Sequence, residues 1–348
     1  MRAAAPAALD AAGGGRRSAV PVAIYNPLPA ALAHYEEALA EVLRAAGAAE
    51  PERSVAPSME LGSQGLGRKV GGAARAVAAH RRIMLGDERL VIACWPTFGF
   101  LEPLLWRHRR GATRVTVVVH DPEPLRHQYG MGPLCARLGS RPVRSGGIEI
   151  VVHSRGASDA LIAMGWPRPR IIPIPIDSRR CRSATPGAER PTTVSVCGQW
   201  KPVRDLAILS DLGPAISSRG LSPVVVGRGW PPVAGWEVRD TFLSEAALDD
   251  QIRRSACLLI PYTRFFQSDI AVRAVELGTP VVGPRQPFLE DLLGPSWPGL
   301  VGSSEPREWL RAIGEVTRAP ASATAAVRGT YLSRCTTAWN RFLTDVPG

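Results

Sequence analysis

The chain has 348 residues, 45% of them hydrophobic and 21% charged, which is enough for two ordinary domains with a core each and excludes a wholly disordered chain. Its net charge of +11 is lopsided: residues 1–185 carry 25 Arg and Lys against 15 Asp and Glu, while residues 186–348 carry 17 against 16. No run of about 18 apolar residues exists to span a bilayer, and the six scattered cysteines form no Cys-x-x-Cys pair, so neither a zinc site nor a disulfide framework is indicated and the expected location is the cytoplasm.

Residues 1–18 have almost no apolar period and read as a disordered lead-in in which Pro6 and Asp10 break the only signal-peptide candidate. From Val20, short β-branched runs alternate with helical stretches, the pattern of parallel sheets covered on both faces. Strands are predicted at Val20–Tyr25, Leu90–Cys94, Val115–Val119, Ile148–Val152 and Ile171–Pro175. Leu32, Tyr35, Leu39, Val42 and Leu43 share one face of a helix that Gly47 can end. The glycine-rich GSQGLG at 62–67 follows no convincing strand and reads as a loop.

The aperiodic stretch after Ile176, with two prolines, a glycine and several arginines, sets a domain boundary. The first domain spans 19–180, the second 190–325, and 326–348 is a terminal helix crossing back to the first. Second-domain strands are predicted at Thr193–Cys197, Pro223–Val226, Ala256–Ile260 and Pro280–Val282. The fold class is therefore α/β, two Rossmann-like, doubly wound domains facing a cleft. Ligands of such sheets bind outside the carboxyl ends of the strands, so the cleft is the default site.

The segment 253–283 is the most informative: a buried strand, a loop Tyr262 to Ser268, a helix carrying Glu276, and a Gly-x-Pro turn into another buried strand. Ser268 can cap the helix and leave free amides, with the helix dipole, for a phosphate. This stretch resembles the donor-site signature of family 4 of the retaining GT-B glycosyltransferases. In that family a Glu-x7-Glu helix and a Gly-x-Pro-Val-Val strand bind the nucleotide sugar. The resemblance places Glu276 on the ribose and Gln267, Ser268, Asp269 and Ile270 beside the donor. Ser268 replaces the family's first glutamate, and Asp269 stands where a glycine is usual.

Upstream, SVCGQWKPVRDLAIL at 195–209 is a strand, a turn at Gly198 and a helix. It resembles the family's diphosphate-holding segment, with Gln199 at the usual arginine and Arg204 at the usual lysine, Lys201 nearby; a solvated Arg204 is the even alternative. Gly227, in a Gly-Arg-Gly strand end, gives backbone room for the base or a plain turn. In the first domain His120 and Asp121 stand at a strand end pointing into the cleft, where the resemblance implies contact with the donor sugar. Asn26, with Pro27, replaces the glycine-rich loop of relatives; Asn26 and His34 are assigned to the acceptor side, though a helix-face core position explains His34 as well.

The function this implies is transfer of a sugar from a nucleoside-diphosphate sugar to an acceptor hydroxyl, with retention and with neither metal nor cofactor. His120, Asp121 and Arg204 would be the catalytic groups. The basic first half would favour an anionic or lipid-linked acceptor and peripheral contact with the inner membrane face, a solvated basic surface being an equal alternative. No nucleic-acid module is present. Together, Gln199, Ser268, Asn26 and Pro27 keep open a GT-B scaffold that has lost catalysis.

Overall fold

The computed structural model describes residues 19–29, 31–55, 66–84, 90–107, 114–124, 128–183 and 191–345. The lead-in at 1–18, most of the GSQGLG stretch and the centre of the boundary segment lie outside the described residues.

The first half runs β1 (Val22–Asn26), α1 (Ala33–Ala45), β2 (Glu52–Val55), α2 (Leu66–Met84), β3 (Leu90–Ala93), α3 (Glu102–Trp106), β4 (Arg114–Val118), α4 (Pro133–Arg144), β5 (Glu149–Val152), α5 (Arg155–Ala163), β6 (Arg170–Ile171) and α6 (Ser178–Ser183). Its strands pair in parallel in the order β2-β1-β3-β4-β5-β6. Strand side chains alternate between faces, and here both faces are covered. Val22 and Ile24 join a core with Leu39 of α1 and Trp339, whereas Ala23 and Tyr25 join another with Phe100, Trp106 and Leu161.

The second half runs β7 (Thr193–Cys197), α7 (Leu206–Ser217), β8 (Ser222–Val226), β9 (Glu237–Arg239), α8 (Glu245–Arg253), β10 (Ser255–Leu259), α9 (Asp269–Leu277), β11 (Val281–Pro284), α10 (Pro287–Leu293), β12 (Leu300–Val301), α11 (Pro306–Arg318) and α12 (Ala321–Thr344). This sheet too is parallel, in the order β12-β11-β10-β7-β8-β9.

The helix α12 is longer than the predicted terminal helix and leaves the second sheet to cover the first. Trp339 Nε1 donates to the Pro173 carbonyl at 3.1 Å, the Tyr331 hydroxyl donates to that of Ile174 at 3.1 Å, and Arg114 stacks over the Phe342 ring at 4.5 Å. One continuous apolar core consequently extends from α1 and α12 into the second domain.

The strand predictions differ from the structure where proline or charge intervenes. The predicted Ile171–Pro175 strand is only Arg170–Ile171, because Pro173 and Pro175 have no amide to donate to a ladder. The strands β2, β9 and β12 were not predicted: the first two are charged and the last has two residues, and all three pair at or next to a sheet edge.

Candidate functional site

Helix α9 forms because its sequence supplies both ends. Ser268 Oγ accepts the Ala271 amide at 3.3 Å, and Gly278, at φ +78°, takes the left-handed stop that an L side chain resists. Its start faces the first domain, with the loop before it crossing the cleft. Gln267 Nε2 donates to His120 Nδ1 at 2.7 Å, and Arg264 forms an ion pair with Glu123. Asp269 stands half-buried in the first turn, and its charge is felt by His120, His34 and Tyr35.

Glu276, at the far end of α9, does not present a free carboxylate. It is wholly buried, one oxygen accepting His34 Nε2 of α1 at 2.8 Å and the other the Asp177 amide of the interdomain segment at 2.7 Å. Burial alone would lower the His34 pKa, but the hydrogen bond and charge of Glu276, with Asp269, raise it above its ordinary value. His34 and Glu276 thus join the domains rather than lining open space. Asn26 is also buried: its amide donates to Glu36 at 2.5 Å and its carbonyl accepts the Leu28 amide at 2.9 Å, closing the turn from β1 towards α1.

At the carboxyl ends of β7 and β8, Arg204 departs from a solvated early-helix residue. It is 4% exposed, its Nη2 donates to the Cys197 carbonyl at 2.9 Å, and its guanidinium lies between the rings of Trp230 at 4.8 Å and Tyr262 at 4.7 Å. It forms no ion pair with a described residue, and its Nε has no hydrogen-bond partner. Burial lowers its pKa, an effect opposed by Tyr262 and Cys197.

Glycine is required around this cation. A Cβ on Gly227 would sit 2.1 Å from the Gly198 carbonyl oxygen, and one on Gly198, at φ +99°, 3.0 Å from Arg204 and 3.6 Å from Ile270. The structure therefore gathers Gly198, Arg204, Gly227 and Ile270. Gln199 is exposed and Lys201 half-buried on the turn beside them. The aromatic residues around Arg204 were not singled out from the sequence, although Trp230 directly follows the Gly-Arg-Gly strand end and Tyr262 opens the loop before α9.

Across the cleft, His120 is buried against Trp95, stacked at 5.4 Å, with Tyr35 edge-on at 4.8 Å and His153 at 5.3 Å. Its Nε2 donates to the Cys94 carbonyl at 2.7 Å, leaving Nδ1 as the acceptor from Gln267. Burial lowers its pKa, partly offset by those two bonds, so the ring is neutral at pH 7. The His153 pKa is lowered to about 3 by burial and by His120; its Nδ1 donates to the Ile172 carbonyl and its Nε2 accepts from Tyr35. Asp121 follows His120, half-buried. The strand-end position of His120 was the signal in the sequence that pointed to this cluster, whereas Trp95, which directly follows the predicted Leu90–Cys94 strand, was not singled out.

Two parallel Rossmann-like sheets meeting across a cleft, with a last helix returning to the first, define the GT-B architecture. No protein-family model matches the chain, and no curated protein sequence matches it. Among solved structures it is similar to AviGT4, a glycosyltransferase involved in avilamycin A biosynthesis, with 17% identity and a TM-score of 0.62 over 94% of this chain and 97% of that one. It is also similar to Anabaena Alr3699/HepE in complex with UDP and glucose, with 12% identity and a TM-score of 0.59 over 94% and 98%. An α,α-trehalose-phosphate synthase (UDP-forming) from Burkholderia vietnamiensis gives 11% identity and a TM-score of 0.60 over 94% and 99%. At these identities the likeness establishes the fold.

Proposed function

We propose that the chain transfers a glycosyl group from a nucleoside-diphosphate sugar to an acceptor hydroxyl. The observation that carries this is Arg204: a buried guanidinium without a carboxylate partner among the described residues, at the strand ends where the fold places ligands. A buried cation in this state calls for an anion, and a diphosphate supplies one. The solved relatives that hold UDP or are named as UDP-forming add support.

In this reading Arg204 and the first amides of α9 stabilise the departing diphosphate, whose charge grows as the glycosidic bond breaks. Gly198 and Gly227 let backbone approach the nucleotide, with Gln199 and Lys201 at the rim. The donor sugar lies between Asp269 and the pair His120 and Asp121, displacing Gln267 from His120 Nδ1 as it enters. The neutral His120 then offers Nδ1 as an acceptor to a sugar hydroxyl. Retention of configuration and independence of metal follow from the family resemblance. Glu276 acts as an interdomain tie, and the ribose must be held by other groups.

A second reading is a GT-B scaffold that binds without transferring. It is favoured by the cross-domain pairing of His120 with Gln267 and of His34 with Glu276, which occupies polar groups that a donor would use. Thermal shift with UDP, GDP, ADP and dTDP separates the two. The transferase should be stabilised by one of them, by about 2.7 kcal/mol at 100 times its dissociation constant, and should slowly release that nucleotide from the matching sugar donor. A response to none of the four would sink the transfer reading.

A further inference from the structure

The first domain carries a basic surface that the cleft does not use. Helix α4 buries Ala136, Gly139, Ser140 and Pro142 and exposes Leu134, Arg137, Arg141 and Arg144. At about 100° per residue these four fall within one narrow stripe. The helix is tightly seated: a Cβ on Gly139 would meet the Phe100 carbonyl oxygen at 1.6 Å. Tyr129, just ahead of it, is 81% exposed, and Leu134, in its first turn, 69%. Neither is a loose tip, because Gly130, at φ +82°, lies against Phe98 and Gly99 and its carbonyl accepts the Phe100 amide at 2.9 Å.

Beyond α3, helix α2 adds exposed Arg75, Arg81 and Arg82 and contains no acidic residue. Of these arginines, none on α2 forms an ion pair with a described residue, and neither do Arg137 and Arg141. In the second domain some exposed arginines are neutralised locally, Arg254 pairing with Asp250 and Arg311 with Glu315 one helical turn away, while others, such as Arg253 and Arg307, form no ion pair with a described residue. The excess charge of the first half therefore stands here as an unneutralised face with apolar side chains protruding from its edge.

We propose that this face, centred on the exposed stripe of α4 with Tyr129 and Leu134, docks the protein on an anionic lipid bilayer. The arginines would lie over headgroup phosphates, and the tyrosine and leucine would enter the interface. A polyanion in solution would use the cations but gain nothing from an exposed leucine, whereas a membrane uses both. Membrane docking and glycosyl transfer stand independently, because vesicle binding is measured without nucleotide or sugar.

The test is flotation of the full chain with phosphatidylcholine vesicles containing or lacking about 30% phosphatidylglycerol, at low salt and at about 0.5 M NaCl, where surface charge is screened. Binding should require the anionic lipid and weaken at high salt. Arg137→Glu with Arg141→Glu should reduce it at least tenfold, the double Lys variant should retain it, and Tyr129→Ser with Leu134→Ser should reduce it at least threefold. All are surface changes, and unaltered thermal unfolding confirms that each variant is folded. Failure of the wild type to float with anionic vesicles overturns the proposal. So does binding that the Glu pair leaves unchanged, or loss on the Glu pair with full retention on the Ser pair, which would mark a general polyanion site.

Discussion

His34 Nε2 and Glu276 Oε2 meet at 2.8 Å across 242 residues of sequence, one from the first helix of the first domain and one from the helix that begins at the candidate donor site. The pair is shielded from solvent, and the remaining Glu276 oxygen is held by the Asp177 amide, so removing the imidazole strands a buried carboxylate. We expect His34→Ala to cost about 3 kcal/mol near pH 5.5. Because the folded pKa of His34 is raised above its ordinary 6.5, the pair's contribution is complete below that value and is lost as pH climbs through the higher folded one. Melting temperatures of wild type and variant should therefore differ more near pH 5.5 than near pH 8.5. An equal gap at both would mean that the pair is held without an imidazolium.

Arg204 should behave in the opposite way. It is buried without a carboxylate partner among the described residues, between two aromatic rings. Arg204→Met keeps volume and removes a costly charge, so stability should change by no more than about 1 kcal/mol. Nucleotide affinity should fall roughly tenfold to a hundredfold, the worth of about 1.5–3 kcal/mol for a charged hydrogen bond. Isothermal titration of the variant with the nucleotide that stabilises the wild type gives the answer. A stable variant that binds as tightly as the wild type would remove Arg204 from the site.

Gly227→Ala is expected to destabilise the second domain by about 1–3 kcal/mol or more, as overpacking against rigid backbone does. The new methyl would lie 2.1 Å from the Gly198 oxygen, which has no flexible side chain to give way. Gly132→Ala is the control, with open space around its Cβ and an ordinary φ of −81°. Urea midpoints of the two variants should separate clearly.

Trp339→Ala empties a fully buried position on α12 and removes the bond to the Pro173 carbonyl. A loss of about 3–5 kcal/mol is expected. Since the tryptophan is encoded after the second domain but packs on the first, calorimetry should show the first domain's unfolding shift downward. A shift confined to the second domain would show that α12 does not stabilise the first.

The strands that were legible in the sequence are those buried on both faces. The predicted Thr193–Cys197 strand is the observed one, since a run of β-branched residues needs no partner to be recognised. The strand β2, with the sequence ERSV, was not legible because an edge strand does not need a continuous apolar run. At the site, the Ser268 cap was readable because capping is local chemistry. The environment of Arg204 was not, because Trp230 and Tyr262 reach it from separate segments, and a lone arginine near a helix start usually lies in solvent. Glu276 was placed on the right helix but given a free carboxylate, since its partner belongs to the other domain.

The return of α12 has a consequence for how the protein is made. The core face formed by β1, β3 and α1 includes Trp339 and Phe342, almost the last described residues of the chain. At about 5–20 residues per second, the ribosome needs roughly 8–30 s to synthesise the stretch from the end of the first sheet to that helix. Through that interval the nascent first domain shows an unfinished apolar face. Chaperone capture during synthesis, rather than refolding of the released chain, is the stage at which truncations of the last helix should be felt most.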